Sequence, residues 1–189
     1  MLTNEVAVPH STAKHSTYKG MPFMVGALAR MVLNRDKLRG RALELLKEVE
    51  DKFDILNPLT NNLAQAIEMV YAVERSIEII SELLDKGLKE EAIVKVEPKR
   101  GSGVGSVEAP RGVLYHYYEV DDEGRITKAD IITPTAQNAA NIEKYIKISA
   151  ERLLARGVEK LEPLLELVPR AYDPCISCSA HMIKIIKVT

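Results

Sequence analysis

The chain has 189 residues, a net charge of −1 and a sequence pI near 6.5. That length can bury one real hydrophobic core, and the near-neutral balance argues against nucleic acid or an anionic membrane surface as a partner. Trp is absent, no apolar run reaches the roughly 18 residues of a spanning helix, and two cysteines do not make a disulfide framework. The N-terminus, Met1 to Pro9, carries neither a basic n-region nor a long apolar h-region, so no signal peptide is visible and a cytoplasmic chain is expected.

Residues 1–22 read as irregular, because Pro9, Gly20 and Pro22 punctuate a polar stretch holding His10 and His15. The spacing from Phe23 to Leu33 predicts a short helix whose small residues Gly26, Ala27 and Ala29 permit close packing. Asp36 is placed to cap a second helix running to about Phe53, with Leu38, Ala42, Leu45, Leu46 and Val49 at helical spacing. Asn57-Pro58 breaks it. A long helix from about Thr60 to Lys86 carries the apolar stripe Leu63, Ile67, Val70, Ile77, Ile80 and Leu84, with Glu68, Glu74, Glu78 and Glu82 on a solvated face. Gly87 ends it.

The segment from Pro98 to Gly112 is glycine-rich but fits neither a P-loop nor G-x-G-x-x-G, and it reads as a flexible connection. Two strands follow, Val113 to Val120 and Arg125 to Thr133, around the turn at Asp121 to Gly124. Pro134 stops the second strand. A helix over Gln137 to Arg156 ends at Gly157, and a last short one starts at Pro163 and runs to about Arg170. The expected class is mainly α with a small antiparallel β-hairpin or sheet, in one domain spanning residues 1–189.

That last helix delivers the chain into Asp173-Pro-Cys175-Ile-Ser-Cys178-Ser-Ala-His181, which holds both cysteines. A thiol pair two residues apart, with an imidazole three residues later, can place three ligands around one metal. Thiolate sulfur favours nickel, copper(I), zinc or iron over magnesium or calcium. C-x-x-C alone is also compatible with a redox dithiol, half a zinc site, or two small buried residues. The position does not suit a thioredoxin-like unit, and no further cysteine exists to close a structural zinc site. Spacing leaves metal binding and an inert pair both open.

Three separated patches resemble one family, the large subunit of nickel–iron hydrogenases. The first runs from His15 through Tyr18, Gly20, Val25, Gly26, Leu28, Ala29 and Arg30, similar to the family's Tyr-x-Gly … Val-Gly-x-Leu-Ala-Arg segment. The second is Glu108-Ala-Pro110-Arg111-Gly112-Val-Leu114-Tyr-His116, followed by Pro134-Thr135-Ala-Gln-Asn138. The third is the terminal motif, most similar to the cytoplasmic, multimeric branch. The three stand in the family's order across nearly the whole chain. One departure is serious: the family uses two C-x-x-C pairs, and no cysteine precedes Cys175. The resemblance therefore covers roughly the C-terminal half of a large subunit, with half of the metal thiolates missing and no turnover expected from the chain alone.

The resemblance implies a hydrogenase large-subunit-like fold and a part in reversible H2 oxidation and proton reduction. Nickel would be bound through Cys175 as a terminal thiolate and Cys178 as one bridging to an iron that carries carbonyl and two cyanides, Fe(CN)2(CO). Heterolytic cleavage of H2 needs a Lewis acid for the hydride and a base for the proton. Cys175 can be that base, with Arg111 the other candidate. A guanidinium normally stays protonated, so Arg111 fits better as a hydrogen-bond donor toward cyanide, its backbone fixed by Pro110 and Gly112. Thr135 would bond a second cyanide, Leu114 would line the apolar shell, and Asp173 would sit near Arg111. His181 would bind magnesium or a water, with the Ile131 carbonyl as partner. Without those motifs, Arg111 reads as a surface salt bridge, Asp173 as an Asx-type cap and His181 as a structural histidine.

Implied partners are the N-terminal half of the large subunit, an iron–sulfur small subunit, nucleotide- or F420-linked redox subunits, and a maturation endopeptidase. That peptidase would cut after His181 and remove residues 182–189. Two other readings stay in view. One is an electron-transfer scaffold like the large quinone-site subunit of complex I, whose kin lack the cysteine pair. The other is a small zinc module built on Cys175, Cys178 and His181.

Overall fold

A computed structural model describes residues 4–9 and 14–175; Cys178, His181, His10 and residues 182–189 lie outside the described residues. Strands β1 (Asn4–Ala7) and β2 (Lys14–Thr17) pair antiparallel. Helices α1 (Ala27–Asn34), α2 (Gly40–Glu48) and α3 (Thr60–Lys86) follow, with 3-10 turns at Arg35–Lys37 and Glu50–Lys52. An antiparallel sheet, ordered β3-β4-β5, is built from β3 (Gly101–Ala109), β4 (Gly112–Val120) and β5 (Ile126–Ile132). Helix α4 (Pro134–Ala155) and the short α5 (Glu162–Leu165) and α6 (Leu167–Ala171) complete the described chain.

The apolar core forms where α1 and α2 pack on the N-terminal half of α3. Ala27, Leu28, Met31, Ala42, Leu46, Ala64 and Ile67 are buried there. Alanines on facing helices let the backbones approach, and each larger side chain contributes about 1.5–3 kcal/mol by leaving water. The apolar stripe expected along α3 is only half used. Ile67 is 2% exposed, but Ile77, Ile80 and Leu84 are 61%, 57% and 77% exposed. The reason is length: the 27 residues of α3 extend about 40 Å, well beyond the reach of α1 and α2.

Several sequence expectations change. The first 22 residues are not irregular throughout, since the β1–β2 hairpin lies in them and β2 packs on α4. Its buried side chain is Ser16 rather than an apolar residue, so no alternation announced it. The glycine-rich stretch is no flexible connection but strand β3, paired along its whole length with β4. It lies at the sheet edge and is exposed over 101–108, so it carries no inward pattern. Helix α1 begins at Ala27, not Phe23, because Gly26 has φ +110 and the Val25 backbone is engaged elsewhere.

Asp36 caps nothing; it sits in a 3-10 turn, and α2 starts at Gly40. The cap comes from α3 instead. Glu74 Oε1 accepts from Arg41 N at 2.8 Å and Oε2 from Ala42 N at 3.2 Å. A carboxylate there satisfies orphan N–H groups and suits the positive end of the helix dipole. The acidic face of α3 is thus partly structural: Glu74 caps α2, and Glu68 holds Arg30.

The first turns of α4 tie the other elements together through buried polar side chains. Thr133 Oγ1 accepts from Ala136 N at 3.2 Å and Pro134 occupies the first turn, so the helix starts where β5 ends. Asn138 Oδ1 accepts from Val25 N at 2.9 Å, and its Nδ2 donates to Val25 O at 3.2 Å. Gln137 Nε2 donates to Val113 O at 2.6 Å, and Asn141 Nδ2 to Tyr172 OH at 2.9 Å. Asn61 on α3 does the same from the other side, accepting from Leu28 N at 2.8 Å and donating to Ala171 O at 2.6 Å.

Replacing Asn138 by Leu strands both polar groups of Val25, so Asn138→Leu is expected to cost about 2–4 kcal/mol of stability, read as a lower urea midpoint. Burial, with Tyr145 nearby adding to it, pushes the Tyr172 phenol above its ordinary value of 10.0, against the Asn141 hydrogen bond. A folded-state value above the unfolded one gives stability that is complete below pH 10.0 and is lost as pH rises beyond it. Denaturant midpoints should therefore fall above that pH in the natural chain and fall less steeply in Tyr172→Phe.

Candidate metal centre

The site begins at the hairpin turn between β3 and β4. Ala109 pairs with Gly112, leaving Pro110 and Arg111 as the two-residue loop. The Val25–Gly26 segment lies directly against it. A Cβ on Gly26 would stand 3.0 Å from the Arg111 carbonyl oxygen, and one on Gly112 would run into the Val25 side chain. Both glycines also hold positive φ, +110 and +132, where other residues are strained. The first and second motif patches are thus pressed together, with Asn138 clamping Val25 from α4.

From this turn Arg111 reaches the residues leading into the cysteines. Its Nε donates to the Asp173 carbonyl oxygen, and Nη2 lies 3.0 Å from Asp173 Oδ2. Asp173 has φ +49, a left-handed conformation that Asp tolerates better than most residues. It turns the chain out of α6 just before Pro174. The two side chains are 41% and 48% exposed, and such a pair is worth about 0–1 kcal/mol. That is too little to matter for folding, so its consequence is orientation. Asp173 thus makes the charged contact with Arg111 that the motif implies.

Two residues on, Cys175 N donates to Thr135 Oγ1 at 3.3 Å. Thr135 is 4% exposed and lies in the first turn of the 22-residue α4. The positive end of a helix lowers the energy of a nearby thiolate or other anion. Arg111 thus bonds Asp173, and two residues later Cys175 bonds Thr135 at the start of α4.

The remaining expected residues are more scattered. Pro110 is exposed and gives its carbonyl to Arg30 at 2.8 Å. Leu114 is half-buried on β4 opposite Val107, and Ile131 is largely exposed on β5 opposite His116. His15 Nε2 lies 3.2 Å from Glu143, and His116 Nδ1 lies 2.8 Å from Tyr118 OH. Sequence reasoning missed Arg30, Glu68, Asn61 and Gln137. Arg30 stood inside a motif patch without a role, and Glu68 resembled any other charge on a helix face.

Among the described residues no three of His, Cys, Asp and Glu cluster as a metal cage. With Cys175 as a thiolate, the donor set would fit a metal carrying anionic ligands: that sulfur, a guanidinium with N–H groups beyond those spent on Asp173, and a threonine hydroxyl whose proton remains after it accepts from Cys175. Nickel suits soft thiolate donors.

Comparison with known proteins agrees. Residues 4–181 match the nickel-dependent hydrogenase family. The chain is 48% identical over 182 residues to the alpha chain of sulfhydrogenase 1 from Pyrococcus furiosus, covering 96% of this chain and 42% of that protein. It is 36% identical over 187 residues to one of the subunits of the F420-non-reducing hydrogenase of Methanothermobacter marburgensis, covering 93% and 39%. The crystal structure of an NAD+-reducing NiFe hydrogenase in the H2-reduced state aligns with TM-score 0.77 at 31% identity, over 95% of this chain and 42% of that one. A NiFeSe hydrogenase variant from Desulfovibrio vulgaris Hildenborough, at 22% identity and TM-score 0.60, shares the fold. The chain spans about two fifths of the length of the curated relatives it matches. Motif order, fold and family match converge: the chain belongs to the nickel-dependent hydrogenase family and corresponds to a portion of its large, alpha-type subunits.

Proposed function

We propose that this chain is the C-terminal part of a nickel–iron hydrogenase large subunit, one domain that builds one side of the metal site and works only with the rest of that subunit. The observation that supports it most is the bonding of Arg111 to Asp173 and, two residues later, of Cys175 to Thr135 at the start of α4. When bound, a nickel and Fe(CN)2(CO) group would supply the Lewis acidity and electron transfer for reversible H2 oxidation. Cys175 and Cys178 would hold that group. Cys175 Sγ would accept and release the proton, helped by the positive helix end. The Arg111 guanidinium would donate to one cyanide and the Thr135 hydroxyl to the other. Asp173 keeps the guanidinium aimed, and Leu114 contributes apolar lining. His181, with the Ile131 carbonyl, would take magnesium.

The missing part of the large subunit would cover the exposed face of α3 from Met69 onward. Met69, Val73, Ile77, Ile80 and Leu84 are all exposed there and recur at spacings of three and four, the pattern of a helix face made for a partner. Further partners, in a cytoplasmic complex, are an iron–sulfur small subunit together with a nucleotide- or F420-linked redox subunit. A maturation endopeptidase would remove residues 182–189 after nickel is inserted. Among the described residues no helix is long and apolar enough to cross a membrane.

Co-production with a matching N-terminal half and maturation machinery should give carbonyl and cyanide bands in the infrared. Their absence would sink the reading. In that assembly Cys175→Ser should remove nickel by elemental analysis, and Arg111→Lys should shift a cyanide band and lower turnover by about 10²-fold. Ile80→Glu should abolish co-purification of the two halves yet leave helicity unchanged, because Ile80 lies outside the α1–α3 core.

A further inference from the structure

Arg30 makes more contacts than its place on α1 requires. Nη1 donates to Ala109 O at 2.9 Å and Nη2 to Pro110 O at 2.8 Å. Behind it, Glu68 on α3 accepts from Nε at 2.7 Å and from Nη2 at 2.6 Å, and Glu108 pairs with Nη1. The Arg30 and Glu68 side chains are only 22% and 25% exposed. A guanidinium with fixed fork geometry is therefore clamped between a carboxylate on one helix and two consecutive carbonyls of the β3–β4 turn.

That turn needs holding. The favoured two-residue hairpin turns require positive φ at their first central residue. Pro110 cannot adopt it, and Arg111 is not among the positive-φ residues. The loop is thus not a type that strand twist sustains by itself, and its tip is exposed. Yet the residue after the clamped carbonyls is Arg111, whose side chain must meet Asp173.

We propose that Arg30, backed by Glu68, is a positioning residue for Arg111: by gripping the carbonyls of Ala109 and Pro110 it sets the turn from which Arg111 reaches Asp173. Its purpose rests on the hydrogenase reading above, but the geometry does not. Lysine at position 30 would keep the charge and lose the fork, so it could not bond both carbonyls and both Glu68 oxygens together.

The test uses the full chain, 15N-labelled, and follows solvent exchange of the Arg111 Nε–H, which the Asp173 carbonyl protects. Arg30→Lys is expected to speed that exchange by about tenfold, with the amides of Leu28, Ala64 and Ile67 unchanged. Glu68→Gln preserves shape and spares the fold, and should give a smaller acceleration at the same proton. Unchanged Arg111 exchange in both variants overturns the proposal. So does equal acceleration at Arg111 and the core amides in both, which would make the clamp a general stabiliser. No metal enters the measurement, so missing carbonyl and cyanide bands would sink the hydrogenase reading and leave this result standing.

Discussion

The structure depends on a strip of buried polar side chains at the start of α4. Thr135, Gln137, Asn138 and Asn141 are all under a tenth exposed. Between them they bond the Cys175 backbone, Val113 on β4, both polar groups of Val25, and the Tyr172 hydroxyl. An apolar strip would bury comparable area without direction. Amides specify distance and angle, and a buried polar group without its partner costs about 1–3 kcal/mol. Each of these bonds therefore penalises the segment it holds for sliding. Three segments far apart in sequence, at Val25, Val113 and Tyr172 to Cys175, are registered against one helix end.

Site geometry follows from that registration. With Val25 fixed, Gly26 and Gly112 let the backbone cross the β3–β4 turn at contact distance. With Val113 fixed, β4 enters the sheet at a set height, so Arg111 leaves the turn toward α6. With Asn61 holding Ala171 and Asn141 holding Tyr172, the end of α6 is set from two helices before the chain reverses at Asp173. Cys175 then arrives beside Thr135 without needing strength from the exposed Arg111–Asp173 pair.

The molecule is lopsided in a way that matches its share of the family's length. The N-terminal half of α3 is packed, while its other end presents apolar residues to water. β3 stands at the sheet edge with Val104 and Val107 exposed. Such surface is costly in a free chain and ordinary in a larger body that covers it. The Arg111–Asp173 and Thr135–Cys175 contacts are made by this chain's own residues.

Local chemistry settled much of this in advance. The helix over residues 60–86, the end of α4 before Gly157 and the β4–β5 turn stand where sequence placed them, because each depends on neighbours within a few positions; α4 itself starts at Pro134, three residues before the expected Gln137. Motif order pointed to Arg111, Asp173, Thr135 and Cys175, which the fold joins in two contacts. Tertiary structure alone decided that β2 and β3 are strands, that Glu74 caps another helix, and that Arg30 grips a turn 80 residues away. In each case the partner that gives the residue its conformation or its task is distant in the chain. Only closure of the fold brings the two within hydrogen-bonding reach.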